Sequence, residues 1–306
     1  MRAALLACVL VAGCGRIAFD VRGDGSSSGD DDGGGGDARP IDAAPCASWS
    51  TWSTPVAINA GSHYMGSISD DGLMLMYANY NGTNNDDLYI VTRTSTASAF
   101  GAEQLVTELQ TVDNDFNPIT HDGLTVYFTS ERGATPADLY VTTRPNLGAQ
   151  FSTPVAVAGG INQGSYDATG WVSPDGLRMY LASDFATPDV DIYVASRAST
   201  AMPFGAANPL AELEAAGTDA HPVLTSDELE IIWSSRRLTA TYDLFHATRA
   251  NRTDPFGSPT VISELQTFND DGYAALSPDG TTMYFNYNFL TTTGTAPVFM
   301  STRTCQ

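Results

Sequence analysis

Five arginines, Arg93, Arg144, Arg197, Arg249 and Arg303, recur at intervals of 51, 53, 52 and 54 residues, each closing a segment of one pattern. The segments are "ISDDGLMLMYANYNGTNNDDLYIVTR" from Ile68, "ITHDGLTVYFTSERGATPADLYVTTR" from Ile119, "VSPDGLRMYLASDFATPDVDIYVASR" from Val172, "LTSDELEIIWSSRRLTATYDLFHATR" from Leu224 and "LSPDGTTMYFNYNFLTTTGTAPVFMSTR" from Leu276. Self-similarity at that period means a repeat architecture, in which each unit buries its apolar surface against its neighbours.

Within a unit an apolar segment meets a turn such as Ser173, Pro174, Asp175 and Gly176, where Pro presets φ and Asp and Gly favour reversal. Two β-rich runs follow, for example "LRMYLAS" and "DIYVASR", separated by a polar loop. Seven residues past each of the first four arginines comes a further segment: "FGAEQLV" from Phe100, "FSTPVAV" from Phe151, "FGAANPL" from Phe204 and "FGSPTVI" from Phe256. Four short antiparallel strands per repeat predict the blade of an all-β propeller with five blades. No run sustains a helical period, which excludes an α-solenoid.

These residues resemble the TolB-type, WD-repeat-like propeller family, whose units carry an "SPDG" turn, an aromatic strand and an Asp-Ile-Tyr type of strand. The resemblance covers all five units. The fourth departs from it at Glu228, where the turn glycine belongs, and the fifth at Ala296 and Pro297, in place of the Asp-Leu pair.

The fifth unit ends without its fourth strand. The missing piece stands at the other end of the chain: "WSTPVAI", Trp52 to Ile58, matches "FSTPVAV" and has no unit before it. The N-terminal strand is therefore expected to complete the last blade and close the ring, which leaves no open blade edge. Closure would bring Cys46 and Cys305 together, and an oxidising compartment would bond them. Such a bridge encloses 305 − 46 = 259 residues. On the chain-entropy model it stabilises by up to about 5 kcal/mol.

The N-terminus, "MRAALLACVLVAGCGR", has a basic residue, an apolar run and small residues before a cysteine, the layout of an export signal. Val11, Ala12, Gly13 and Cys14 resemble the bacterial lipobox, which implies that residues 1–14 are the signal and Cys14 the lipidation site. Residues 15–45 are dominated by Gly, Ser and Asp and read as a flexible tether, leaving the propeller to residues 46–306. The "GSSSG" within the tether lacks the strand-to-helix turn that a nucleophile motif needs. The expected location is the cell envelope, with the membrane reached through the lipid anchor alone and the protein a monomer.

Net charge is −21, from 35 acidic and 14 basic residues with no lysine among them. Such a surface repels polyanions and excludes nucleic acid as a partner. Without lysine there is no Schiff-base chemistry. His63, His121, His221 and His246 show no HExxH spacing, and the EF-hand-like start at Asp113 fails at Pro118 and Leu124.

Counting back from the turns, His63, Asn114, Asp167, Asp219 and Asp271 occupy one position in the five units and should converge at a channel mouth. Asp167, Asp219 and Asp271 would supply oxygen ligands for Ca²⁺ or a cationic peptide; the competing reading is a solvated rim, or turns in which Asp bonds its own backbone. Apart from that Ca²⁺ no cofactor is expected. Glu108, Glu212 and Glu264 read as exposed charge, the repeated arginines as structural, and Trp171 and Trp233 as core between blades. With no catalytic signature, the expected function is an anchored, non-catalytic scaffold for an envelope protein or peptide. The alternatives are a glycosidase-like enzyme, which needs two suitably spaced carboxyl groups, or a lectin-like glycan binder.

Overall fold

The computed structural model describes residues 46, 48–62, 64–80, 85–133, 137–185, 189–287 and 296–306. The signal segment 1–14 with Cys14, the tether and His63 lie outside them. Among the described residues there are twenty strands in five antiparallel sheets of four. β1 is Val56–Ser62. The first blade is β2 (Tyr64–Ile68), β3 (Met74–Tyr80), β4 (Asp86–Thr92) and β5 (Gln104–Leu105). The second is β6 (Asp115–Ile119), β7 (Thr125–Ser130), β8 (Asp138–Thr143) and β9 (Val155–Ala156). The third is β10 (Asp167–Val172), β11 (Arg178–Ser183), β12 (Asp191–Ser196) and β13 (Asn208–Pro209). The fourth is β14 (Asp219–Leu224), β15 (Glu230–Ser235), β16 (Asp243–Thr248) and β17 (Thr260–Val261). The fifth is β18 (Asp271–Leu276), β19 (Thr282–Tyr287) and β20 (Ala296–Thr302), with β1 in fourth place.

The innermost strands β2, β6, β10, β14 and β18 neighbour one another in a closed cycle, so the molecule is a five-bladed β-propeller. β6, β10, β14 and β18 are buried along their whole length. Each lies between the blades on either side, so side chains on both of its faces are covered, which is why these strands do not alternate apolar with polar. Trp233, Tyr77, Tyr180 and Phe128 are among the largest fully buried side chains, in clusters that run from blade to blade.

The repeated arginines are the device that joins each blade's turn to its outer strand. Each donates Nε–H to the carbonyl of its own turn, at 2.7 Å for Arg93 to Gly72, 2.6 Å for Arg144 to Gly123, 2.7 Å for Arg197 to Gly176, 2.8 Å for Arg249 to Glu228 and 2.7 Å for Arg303 to Gly280. Each guanidinium also lies over an aromatic ring: Phe100 at 4.5 Å, Phe151 at 4.4 Å, Phe204 at 4.2 Å, Phe256 at 4.3 Å and, for Arg303, Trp52 at 4.3 Å. The fourth strands are shorter than the apolar segments suggest. β5, β9, β13 and β17 keep two residues each, because the preceding aromatic turns inward onto its arginine.

Trp52 follows the same rule. The ladder starts at Val56, paired with Met300, four residues later than the sequence pattern suggests. Trp52 itself is buried, and Ser53 donates its N–H to Thr302 at 2.8 Å. Cys46 and Cys305 form a disulfide with Cα atoms 5.5 Å apart.

The turn departure at Glu228 is compensated. Gly72, Gly123, Gly176 and Gly280 hold φ between 69 and 71°, where glycine is unstrained, and Glu228 takes φ 59° in their place. Its carboxylate is fully buried and accepts from Arg178 Nη2 at 2.5 Å and Tyr180 Oη at 3.1 Å, with Arg249 Nη2 at 3.6 Å. That charge-assisted network holds a backbone conformation which costs about 1–3 kcal/mol for a side-chain-bearing residue.

Candidate functional site

Register shows where the five equivalent residues of one mouth stand. Asp167 pairs with Ser183, Asp219 with Ser235 and Asp271 with Tyr287; in the second blade the partner of Ser130 is Asp115, not Asn114. Counting back from the turn slips by one there, because β6 reaches its turn with one residue fewer than β10. Asn114 instead bridges blades: its Oδ1 accepts the Asp86 N–H at 3.0 Å and its Nδ2 donates to Glu131 at 2.7 Å.

The four aspartates are buried, each bonded within its own blade. Asp115 pairs with Arg132 at 2.8 Å, and Asp219 with Arg237 at 2.8 Å and with Trp233 Nε1 at 3.0 Å. Asp167 accepts from Ser183 Oγ at 2.5 Å and Gly164 N at 2.9 Å. Asp271 accepts from Thr267 N and Oγ1, both at 2.6 Å. Asp167 and Asp271 therefore fasten the loop that enters their strands directly, and Asp115 and Asp219 do so through Arg132 and Arg237, which donate to the Leu109 and Leu213 carbonyls. Among the described residues no three His, Cys, Asp or Glu side chains are grouped to hold a metal ion.

Burial raises Asp115 and Asp167 above the usual carboxylate range, with hydrogen bonds offsetting part of the rise. It pushes Asp271 up to about 6, with nearby Asp243 and Asp270 adding to the shift and the Thr267 bonds opposing it.

At the opposite mouth, where the turns lie, the inner strands of all five blades end in a narrow funnel. Ile68, Ile119, Trp171, Val223, Leu224 and Leu276 give it apolar walls, and its lining contains a single carboxylate residue, Asp70. His121 stands beside it and ties three blades together. Its Nδ1 lies 2.8 Å from Asp70 Oδ1 in the first blade, and its Nε2 lies 2.6 Å from the Val172 carbonyl in the third. Both nitrogens face acceptors, and an imidazole satisfies two acceptors only when doubly protonated. Burial opposes that charge, but the bonds to Asp70 and Val172 outweigh it and raise the His121 pKa.

His121 and Asp271 tilt stability in one direction. A histidine raised in the folded state contributes stability that is complete below its ordinary value and is lost as pH rises through the folded one. A carboxylate raised in the folded state binds its proton more tightly there, so stability grows as pH falls through about 6 for Asp271. These two groups favour pH 5.5 over pH 8, while His221, whose pKa burial lowers to about 3, opposes them because the unfolded chain alone takes up its proton as pH falls, so the signature lies in how each variant changes the slope of melting temperature with pH. Asp271→Asn and His121→Gln should each shift that slope toward lower stability in acid, and an unchanged slope in both variants would rule out these groups as contributors to it.

Between the two mouths every blade has a bulge where the inner strand meets the second. Bulges re-aim side chains. Three bulge residues with side chains, Asn117, His221 and Tyr273, have φ of 50, 55 and 52°, and all three line a small axial chamber. His221 and Tyr273 stack with ring centroids 3.6 Å apart. Burial, with Arg236 nearby, lowers the His221 pKa to about 3, so this imidazole is neutral.

Glu212 and Glu264 are exposed, as the sequence reading has them, and Glu108 is half-buried, yet all three also latch neighbouring blades. Glu108 accepts the N–H of Phe151 at 3.0 Å, Glu212 that of Phe256 at 3.0 Å and Glu264 that of Trp52 at 2.9 Å. The sequence signal was their spacing of 43 and 44 residues from Phe151 and Phe256. Trp171, expected as core, is buried but also walls the funnel.

No family model and no curated protein matches the chain. Solved structures do. An endo-arabinase from Bacteroides thetaiotaomicron superposes with a TM-score of 0.56 at 14% identity, over 83% of this chain and 97% of that one. An alpha-L-arabinofuranosidase from Podospora anserina, solved with cellotriose, gives a TM-score of 0.52 at 10% identity over 85% and 98%. TolB from Acinetobacter baumannii gives 0.49 at 15% identity over 78% of this chain and 54% of that one, so this chain spans about half of that protein. At such identities a likeness bears on fold alone.

Proposed function

We propose that the chain is an exported, lipid-anchored envelope propeller that binds a protein or peptide segment at the turn-side mouth of its axis and performs no catalysis. The observation that carries this reading is the funnel: apolar walls supplied by all five blades around one polar couple, Asp70 with His121. Concave apolar sites with a few placed polar groups suit a docked side chain. Glycoside hydrolysis needs two carboxyl groups about 5 Å or about 6.5–9.5 Å apart. The funnel lining offers one, already held by a histidine, while Asp167 and Asp219 are occupied inside their blades. Cys14 and the tether of residues 15–45 would hold the propeller about 28–33 Å from the membrane on average, and the Cys46–Cys305 bridge suits an oxidising compartment.

The test uses the full chain in its host envelope. Crosslinking is expected to trap a partner on the wild type and not on Ser226→Arg, which places a long side chain at the funnel rim, and Cys14→Ala should abolish acyl labelling. Turnover of an arabinoside or sialoside panel that disappears in Asp167→Asn, Asp219→Asn would overturn the non-catalytic reading.

A further inference from the structure

We propose that the cleft between the fourth and fifth blades is a binding site for an organic cation of the polyamine class, held by Asp227, His246 and Glu264. The cleft measures about 620 Å³, within the range that small-molecule sites occupy. Ser48, Thr51, Thr260 and Ser263 of its lining are exposed, so it opens directly to solvent. One wall is β16 with β17 of the fourth blade, and the other is the segment from Cys46 to Trp52, whose two indoles cover Arg303.

The repeat is broken at this cleft. At the register position of His246 the other blades carry Ile90, Val141, Val194 and Met300, so the fourth alone places an imidazole there. Glu230 orients that ring. Arg303 meets Glu230 with two bonds and keeps it ionised, so the carboxylate can only accept, and His246 Nδ1, 3.1 Å away, carries the proton. Nε2 of the neutral ring is then an acceptor, and it takes no bond among the described residues. The other free charged atoms of the cleft are acceptors too. Asp227 uses Oδ1 on the Thr225 hydroxyl at 2.6 Å and the Leu229 N–H at 3.0 Å, which leaves Oδ2. Glu264 uses Oε1 on the Trp52 N–H, and its Oε2 has only the Ser263 hydroxyl at 3.5 Å. Both arginines of the lining are engaged, Arg303 by Glu230 and Arg249 by the Glu228 carbonyl and the Tyr180 hydroxyl.

A ligand must therefore bring donors, and the two carboxylates favour a charged one. The chain has no lysine of its own to fill the place. Among the described residues no three such side chains are grouped to hold a metal ion, which points to a longer cation whose N–H groups meet them one at a time. The inference goes beyond the scaffold reading and stands without it, since the cleft shares no lining residue with the funnel.

Calorimetric titration of the full-length protein at about 0.15 M salt, where attraction between exposed charges fades beyond about 8 Å, tests this with spermidine, triethylene glycol and suberate, chains of equal length that are cationic, neutral and anionic. Spermidine should bind saturably, and the other two at least tenfold more weakly. Asp227→Asn with Glu264→Gln keeps an oxygen for each main-chain bond, so the fold should stand while spermidine affinity falls at least tenfold. Thr260→Arg, at an exposed position paired with His246, should block the cleft with its own guanidinium. Asp113→Asn with Glu214→Gln removes the same charge outside the cleft and should change affinity less than about threefold. An equal loss in that control would mean diffuse attraction to an acidic surface and would overturn the proposal. Equal binding of triethylene glycol, or spermidine binding undiminished by either cleft variant, would overturn it as well.

Discussion

Replacing Cys305 with serine is expected to lower the melting temperature by roughly 10 °C, the largest effect of any single change away from the core. The bridge to Cys46 spans 259 residues of sequence. On the chain-entropy model, opening such a loop costs up to about 5 kcal/mol. The real loss should fall below that limit, because other contacts hold the two ends. Ser50 donates its N–H to Thr304 at 2.9 Å, Gln306 donates to Ser48 at 2.9 Å, and Trp49 bridges Cys305. Cys46→Ser should match Cys305→Ser, and the double variant should be no worse than either, as measured by calorimetry under identical conditions. A melting temperature within about 1 °C of wild type would show that the hydrogen bonds alone fasten the ends.

Glu230→Ala should cost about 3–5 kcal/mol, read by chemical denaturation at neutral pH. Arg303 is 5% exposed, with Trp49 at 4.0 Å and Trp52 at 4.3 Å from its guanidinium. Glu230 meets it with two bonds, at 2.9 and 2.6 Å, and also faces His246 Nδ1 at 3.1 Å. Removing the carboxylate strands a buried cation whose remaining hydrogen-bond acceptor is the Gly280 carbonyl. A further change of Arg303 to methionine should recover part of the loss, since a buried pair exchanged for apolar groups is often neutral. The pH dependence carries a second signature. Burial would raise Glu230, but bonds to His246 and Arg303 outweigh it and hold the group below its ordinary range. Its stabilisation is therefore present above the ordinary carboxylate range and lost as pH falls through the folded value, so the variant should lose sensitivity to acid. A loss under about 1 kcal/mol would contradict the pairing.

The architecture was legible because its devices repeat. The arginines could be read as structural from regularity alone, and the structure supplies their partners. In three blades a tyrosine of the neighbouring blade adds a bond: Tyr284 to Arg93, Tyr127 to Arg197 and Tyr180 to Arg249. In the fourth blade that position is Ile232, and Glu230, two residues earlier, takes over as the partner of Arg303. No sequence pattern announces such an exchange, since it depends on which side of the sheet each residue faces. Asn114 was misread for a related reason: one residue lost before a bulge moves the register without altering the turn that anchors the count. The funnel was invisible because Ile68, Val223 and Leu276 look like any strand ending in the core. They become a wall only when five separate blades surround one axis.

Trp52 has a consequence for how the protein is made. A ribosome delivers this residue roughly 210 positions before Glu264 and 250 before Arg303, the two groups that receive it. Until Arg303 emerges, its indole lacks the guanidinium that covers it. Four blades can assemble as they appear, yet the outermost position of the fifth stays vacant for most of synthesis while its occupant waits in water at the front of the chain. The fifth blade is thus completed only after β20 and Arg303 are made. A chain interrupted before them leaves Trp52 uncovered and the β19 edge bare, the kind of exposed apolar surface and unpaired strand edge that makes folding intermediates prone to aggregate.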